Sequence, residues 1–310
     1  MKSLGAKLRW LVSPAVDQVP IGHARAAASL RVLLGLLWLY NVSWKRAPDF
    51  GQEAGNGLFK FTSYAVSHPV LPPYSWVIEN VVLPQFEFFG WLVLAAETAL
   101  AVLLMTGTWV RAAAVLGIAQ SIAIALSVAY APDEWPWSYW LMIGAHALIL
   151  FSSAGRVLSV EAIRAGLSGG AALLRATGAL SLLVGLIAIV GSVSDPLAAR
   201  GVLVGSQDLS VGLGAYNALG GVVLIVVGAL LLAALRVGAS GPRLAFSAAG
   251  LSLVAAASLY VQLGFTDPVL GGSATSAAYL LCVAVVATAA GRRMSTGSDG
   301  LHASVPGTAG

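Results

Sequence analysis

Long apolar runs, separated by short polar connections, make up most of the chain after its first 25 residues. A helix needs about 20 predominantly apolar residues to cross a bilayer. The runs therefore predict an all-α polytopic membrane protein with eight transmembrane helices. Their predicted ranges are 26–44, 86–106, 109–130, 138–154, 173–194, 214–235, 243–264 and 275–291.

Composition and charge agree with this architecture. Of the 310 residues, 58% are apolar and 10% are charged, whereas a soluble domain has about 25% charged residues. Lysine and arginine concentrate in the connections on the side of the N-terminus, so the positive-inside rule predicts that both termini are cytoplasmic. This bias explains the formal net charge of +4 without a nucleic-acid partner. We expect a multi-pass protein of the cytoplasmic membrane of a prokaryote.

The two halves of the chain differ in their polar residues. The first four predicted helices contain Arg31, Asn41, Glu97, Gln120 and His146, whereas the last four are rich in glycine, alanine and serine. Small residues allow membrane helices to pack closely. We therefore predict a functional four-helix bundle over residues 25–165 and a second four-helix bundle, for packing or docking, over residues 170–293.

Three segments lie outside the predicted helices of these bundles. The sequence of residues 1–24 indicates either a short helix on the membrane surface or a disordered basic leader. Residues 46–84 form the longest external connection, and their aromatic, proline-interrupted sequence is typical of short helices or turns at the outer interface. This segment either belongs to an ordinary aromatic belt or covers a pocket for a lipid-like molecule. Residues 294–310 are small and polar, which predicts disorder.

Glu97 is the most informative polar residue, because it lies near the middle of the second predicted helix. An ionisable group at that depth costs about 3 kcal/mol, so it usually faces the bundle interior and has a partner. We consider Arg31 first as that partner, since its side chain can extend towards Glu97 or towards the cytoplasmic headgroups. Such a pair either binds or protonates a ligand or fixes the register of two helices.

Two further polar stripes follow helical spacing. The first helix carries Arg31, Gly35, Trp38, Val42 and Lys45 on one face, and the fourth carries Tyr139, Met142, His146 and Ser153. His146 is either a proton-handling group or a packing residue, and Gln120 is expected to bond between helices. No haem or metal site is predicted, because the four histidines and the single cysteine are scattered along the chain. The spans also lack the paired glycine and proline interruptions of alternating-access transporters.

Three stretches of the first bundle resemble a known family. They are RVLLGLLWLYNVSWK (31–45), ETALAVLLMTGTWVRAAA (97–114) and HALILFSSAGRVLSVE (146–161). Residues 25–165 are similar to the DoxX/DoxD membrane family, which includes the small DoxD subunit of thiosulfate:quinone oxidoreductase. The matching positions are Arg31, Gly35, Lys45, Glu97, Gly107, Arg111, Gly155, Arg156, Ser159 and Glu161. The resemblance implies a four-helix bundle and, for the DoxD branch, thiosulfate oxidation coupled to quinone reduction.

Two functional hypotheses remain open. In the first, the chain is a membrane subunit of a quinone-linked oxidoreductase, with Glu97, Arg31 and His146 as catalytic candidates. Its candidate quinone- or lipid-contacting residues are Trp38, Lys45, Trp76, Gln120, Tyr139 and Met142. In the second, the chain is a non-catalytic anchor or accessory subunit of a larger respiratory or cell-envelope complex, bound to a membrane or extracytoplasmic protein.

Overall fold

The computed structural model describes residues 4–205 and 210–302. Most of these residues are helical. The helices are α1 (Leu4–Val12), α2 (Ile21–Ser43), α3 (Gly57–Ser67), α4 (Pro72–Val77), α5 (Phe86–Thr106), α6 (Val110–Val128), α7 (Pro136–Phe151), α8 (Val160–Arg164), α9 (Ala171–Gly191), α10 (Ala218–Ala234), α11 (Gly241–Val261) and α12 (Ala274–His302). A π-helical turn (Ile78–Val82) and a 3-10 turn (Leu83–Gln85) join α4 to α5, and a short antiparallel pair, β1 (Val204–Gly205) and β2 (Ser210–Val211), precedes α10.

Each of the eight predicted apolar segments contains a helix, namely α2, α5, α6, α7, α9, α10, α11 and α12. Six of the described helical stretches are long and apolar enough to cross a membrane. One of them is the continuous stretch Pro72–Thr106, which runs from α4 through α5. Helices α7 and α10 are shorter, with 16 and 17 residues. The chain is therefore an all-α, multi-pass membrane protein.

The helices pack in two groups that meet at α12. In the first group α2 packs on α5 and α6 packs on α7, and in the second α9 packs on α10 and α11 packs on α12. Helix α12 also contacts α2, α5 and α8. In its membrane-spanning stretch 78% of the residues are buried, whereas in each of the other five stretches at most 50% are buried. The last helix is thus the central element that joins the two bundles.

Two pairs of glycines set the distance between α9 and α10. A Cβ atom added at Gly185 would lie 2.7 Å from the carbonyl oxygen of Gly221, and one at Gly221 would lie 2.8 Å from that of Gly185. Gly178 and Gly228 make the same reciprocal contact two turns away. Along each helix the two glycines are seven residues apart, and the two helices run antiparallel. The four glycines therefore form a single seam of close contact. This is the close packing that the small-residue composition predicts.

Replacing Gly185 by alanine should therefore destabilise the second bundle. The added methyl group meets a backbone carbonyl that cannot move aside, and overpacking of this kind costs about 1–3 kcal/mol. Thermal unfolding in detergent, followed by circular dichroism, measures the loss. Gly144→Ala on α7 is the matched control, because a Cβ atom there meets nothing within 4 Å. An equal melting temperature for the two variants would contradict the prediction that the glycine seam stabilises the second bundle.

The segments outside the bundles are also folded where they are described. Helix α1 occupies Leu4–Val12 of the N-terminal segment, and residues 1–3 lie outside the described residues. Residues 46–84 contain α3 and α4, which agrees with the short helices expected there. Helix α12 continues to His302, so it includes residues 294–302 of the tail. Residues 303–310 lie outside the described part of the chain.

Candidate functional site

Helix α2 turns its polar stripe towards the interior of the first bundle. Arg31, Trp38 and Val42 are fully buried, and Lys45 is 5% exposed. Gly35 packs so closely on α5 that a Cβ atom there would lie 2.9 Å from the backbone nitrogen of Met105. This contact brings the axes of α2 and α5 together and sets which residues of the two helices lie at the same depth.

The buried carboxylate of Glu97 forms an ion pair with Lys45. The distance between Lys45 Nζ and Glu97 Oε2 is 2.6 Å, and both side chains are 1% exposed. Lys45 Nζ also donates to the carbonyl oxygen of Asn41 at 3.1 Å and lies 3.7 Å above the ring of Trp44. The side chain of Gln120 lies beside the carboxylate. The buried charge of Glu97 is thus neutralised by a cation of its own chain.

The cation beside Glu97 is Lys45 and not Arg31, which corrects the pairing considered first. Arg31 and Lys45 are 14 residues apart, which corresponds to about 21 Å along a helix. The Gly35 contact places Arg31 at the end of α5, where its guanidinium group donates to the carbonyl oxygens of Leu104 at 2.7 Å and Leu158 at 2.9 Å. Longer bonds reach Met105 and Val157. Arg31 therefore fastens the end of α5 to the loop before α8.

His146 is hydrogen-bonded through both ring nitrogens. The indole N–H of Trp38 donates to His146 Nε2 at 3.0 Å, and His146 Nδ1 lies 2.7 Å from the carbonyl oxygen of Met142. These contacts require the neutral ring with its proton on Nδ1. Gly117 on α6 leaves the space that the imidazole fills, since a Cβ atom there would overlap the ring. His146 thus connects α2, α6 and α7.

The remaining family-motif residues meet at the end of the first bundle that the charge distribution predicts to be cytoplasmic. We call Arg31, Arg111, Arg156, Ser159 and Glu161 the arginine–glutamate cluster. Glu161 is fully buried and accepts from the backbone N–H groups of Ala15 at 2.7 Å and Val110 at 2.8 Å. Burial raises the pKa of Glu161, while these donors and the guanidinium groups of Arg111 and Arg31 oppose the shift.

Two arginines of this cluster hold α1 and the segment after it against the bundle. Arg111 pairs with Asp17 at 2.9 Å, bonds to Ser13 Oγ at 2.9 Å and stacks on the ring of Trp10. Arg156 donates to the carbonyl oxygen of Val16 at 3.0 Å. In the sequence these positions stand out only through the family resemblance. Glycine, arginine and acidic residues follow both α5 and α7, and this repeated pattern is the signal in the sequence for a shared site.

Glycines of the motifs make room for the cluster. Gly107 has a positive φ of 65° and ends α5, and a Cβ atom there would overlap the side chains of Arg31 and Ser159. A Cβ atom at Gly155 would overlap the carboxylate of Glu161. Ser159 donates to the carbonyl oxygen of Gly155 and caps α8 by accepting from the N–H of Ala162 at 2.9 Å. The motif residues therefore act together in one interlocked contact.

The predicted site residues do not meet in a single pocket. Glu97, Lys45 and Gln120 form one group, Trp38, His146 and Met142 form a second, and Arg31 belongs to the arginine–glutamate cluster. Trp76 is 61% exposed, and the hydroxyl of Tyr139 donates to Glu134 Oε2 at 2.5 Å. Within residues 4–205 and 210–302, no three His, Cys, Asp or Glu residues are placed to hold a metal ion.

Two hollows lie where the first bundle meets α11 and α12. The first, which we call the outer hollow, has a volume of about 520 Å³ and is lined by Trp91, Leu94, Thr98 and Tyr260, among others. The second, which we call the arginine hollow, has a volume of about 840 Å³. Both are bounded by Trp109, Leu281 and Val285, so they adjoin each other. Neither is lined by residues 46–84, the segment that the sequence suggested as a pocket cover.

Comparison of the chain with protein-family models, with curated proteins and with solved structures finds no match. The similarity to the DoxX/DoxD family stays a prediction.

Proposed function

We propose that the chain is a non-catalytic membrane subunit that anchors or assists a larger membrane complex. The observation that supports this proposal is the internal bonding of the first bundle. Glu97, Lys45, Arg31 and His146 are the groups that a reaction would use, and each is bonded to another group of the same chain. A substrate would have to break these buried bonds, and an unsatisfied buried group costs about 1–3 kcal/mol.

The second bundle offers the surface that such a subunit needs. Helix α9 has the lowest buried share of the six spans, at 28%. Leu183, Leu186 and Val190 follow helical spacing along one face, and each is more than half exposed. An apolar face of this kind can be covered by membrane lipid or by a partner protein. The test therefore has to compare α9 with an equally exposed apolar face elsewhere in the chain.

The test is purification of the tagged full-length chain from its native membrane in a mild detergent. We expect the wild-type chain to purify in a complex of fixed stoichiometry. The double variant Leu183→Ala with Leu186→Ala should dissociate from this complex, while the melting temperature of the isolated chain stays the same. Leu141→Ala combined with Leu148→Ala is the control, since these α7 leucines are also more than half exposed. A wild-type chain that is isolated as a monomer would count against the proposal, as would equal dissociation of both variants.

The second candidate function is a membrane subunit of a quinone-linked oxidoreductase of the thiosulfate:quinone type in a prokaryotic cytoplasmic membrane. The outer hollow favours it. Its wall is almost wholly apolar, and it contains one polar pair, in which the hydroxyl of Tyr260 donates to Thr98 Oγ1 at 3.2 Å. An isoprenoid tail suits the wall, and the Tyr260 hydroxyl can donate to a quinone carbonyl instead. Thr98 directly follows Glu97 in α5.

This candidate is tested by titrating the purified chain with a short-chain benzoquinone and following quenching of the tryptophan fluorescence, since Trp91 and Trp109 line the hollow. Loss of one hydrogen bond of about 1 kcal/mol should weaken binding about fivefold in Tyr260→Phe. Tyr130→Phe is the control, because Tyr130 is exposed and lies outside the hollow. Absence of saturable quenching in the wild type would reject the site. Where binding is seen, thiosulfate-dependent quinone reduction with a soluble partner, weakened by Glu97→Gln, tests the chemistry.

A further inference from the structure

The arginine hollow combines an apolar wall with a cationic rim. It lies between α8, α11, α12 and the turn that joins α5 to α6. Val160, Phe246 and Leu253 contribute to the apolar wall. The side chains of Trp109, Phe246 and Leu253 are about half exposed, so the hollow opens towards the surrounding membrane rather than towards the protein interior.

Three arginines, Arg164, Arg292 and Arg293, line the hollow, and no aspartate or glutamate with a described side chain does. Among the described residues, none of the three guanidinium groups forms an ion pair, whereas Arg111 at the same end is paired with Asp17. The nearest acid along α8 is Glu161, and its two carboxylate oxygens are occupied by the backbone of Ala15 and Val110. Among residues 5–205 and 210–296, whose side chains the structure describes, the positive charge of the hollow therefore has no acidic counterpart.

We propose that the arginine hollow binds a membrane phospholipid with an anionic headgroup. Guanidinium groups bind phosphate through paired hydrogen bonds, and the three arginines supply them at one end of the hollow. An acyl chain lies along the apolar wall and continues past Trp109, Leu281 and Val285 towards the outer hollow. The volume of about 840 Å³ falls within the range of about 300–1,000 Å³ that is usual for small-molecule sites.

The position of the site between the bundles gives the lipid a structural role. A lipid there contacts α8 of the first bundle together with α11 and α12, so it fills the junction that the protein leaves open. The inference concerns this junction alone and is independent of whether the chain is an anchor or part of an oxidoreductase. The substitutions within the hollow leave Tyr260, Glu97 and all of α9 unchanged.

The first test measures lipid selectivity of the full-length chain reconstituted in phosphatidylcholine vesicles. Spin-labelled phosphatidylglycerol and spin-labelled phosphatidylcholine are compared by the fraction that is motionally restricted. We expect the wild type to restrict phosphatidylglycerol preferentially. Replacing any one of Arg164, Arg292 and Arg293 by glutamine should lower this preference about fivefold, since one arginine near a membrane surface contributes about 1 kcal/mol. Arg175→Gln combined with Arg236→Gln is the control, because these exposed arginines belong to the same end of the second bundle and lie outside the hollow.

The second test blocks the hollow without removing charge. Gly250 lines the hollow, and a Cβ atom there meets nothing within 4 Å, so Gly250→Leu fills the space without a clash inside the chain. Its matched control is Gly144→Leu, at an equally unobstructed helix position on α7. We expect Gly250→Leu to abolish the selective restriction of phosphatidylglycerol and to leave the melting temperature in lipid-free detergent unchanged, and we expect Gly144→Leu to change neither.

Three results would overturn the proposal. One is equal restriction of the two labelled lipids by the wild type. Another is an equal loss of preference in the Arg175/Arg236 control, which would assign the effect to surface charge in general. The third is displacement of the labelled lipid by an excess of inorganic phosphate, which would show that the arginines bind phosphate without any contribution from the apolar wall.

Discussion

Replacing Lys45 by methionine, or Glu97 by glutamine, is expected to lower the free energy of unfolding by about 3–5 kcal/mol, because either change leaves one buried charge without its counterpart. The two side chains are 1% exposed and their charged atoms are 2.6 Å apart. The loss is measured as the shift of the unfolding transition in detergent. Lys60→Met and Glu87→Gln are the controls, since both of these charged side chains are exposed.

The double variant Lys45→Met with Glu97→Leu distinguishes a structural pair from a functional one. Replacing both members of a buried pair by apolar residues is often neutral or stabilising, so we expect the double variant to recover most of the stability that either single variant loses. A structural pair predicts that the recovered protein still assembles with its partner. A recovered protein that has lost assembly or activity would instead show that the pair is needed for more than the fold.

Replacing Arg31 by methionine is the second change with a large expected effect, about 3–6 kcal/mol of unfolding free energy. Two short bonds from a charged donor are lost, at about 1.5–3 kcal/mol each. Their acceptors are the carbonyl oxygens of Leu104 and Leu158. Arg31→Lys should recover little of this loss, since an ammonium group cannot reach both carbonyls in the way that the planar guanidinium does.

Arg25→Met on the same helix is the control for Arg31, because Arg25 is exposed and its removal takes away the same charge without a buried bond. The thermal unfolding of the three variants in one detergent measures the difference. A loss for Arg31→Met that is no larger than the loss for Arg25→Met would contradict the role of Arg31 as the connection between α5 and the loop before α8.

The helices themselves could be predicted well, because apolar length is a property of each segment alone. All eight predicted segments contain a helix, and the stripe from Arg31 to Val42 is the buried face of α2, as its spacing predicts. Lys45 continues this stripe just beyond the end of α2. Small residues indicated the close contact of α9 with α10, which the reciprocal glycines provide. A family resemblance selected Gly107, Gly155, Ser159 and Glu161 without showing what they contact.

The partner of Glu97 could not be predicted, because it depends on how far α2 is shifted along α5. Arg31 and Lys45 both lie on the correct face, and helical periodicity does not choose between them. The contact of Gly35 with Met105 decides the shift. It places Arg31 level with the end of α5 and leaves Lys45 to meet the carboxylate.

The amino-acid sequence by itself determined the membrane environment, the positions of the apolar helices and the face that α2 buries, since hydrophobicity and helical period act within a segment. Only the tertiary structure decided that Lys45 neutralises Glu97, that the motif residues interlock at one end, and that α12 joins the two bundles. The same packing leaves three arginines around an apolar hollow. These features arise between segments far apart in the chain, where relative shift and orientation are set by many contacts at once.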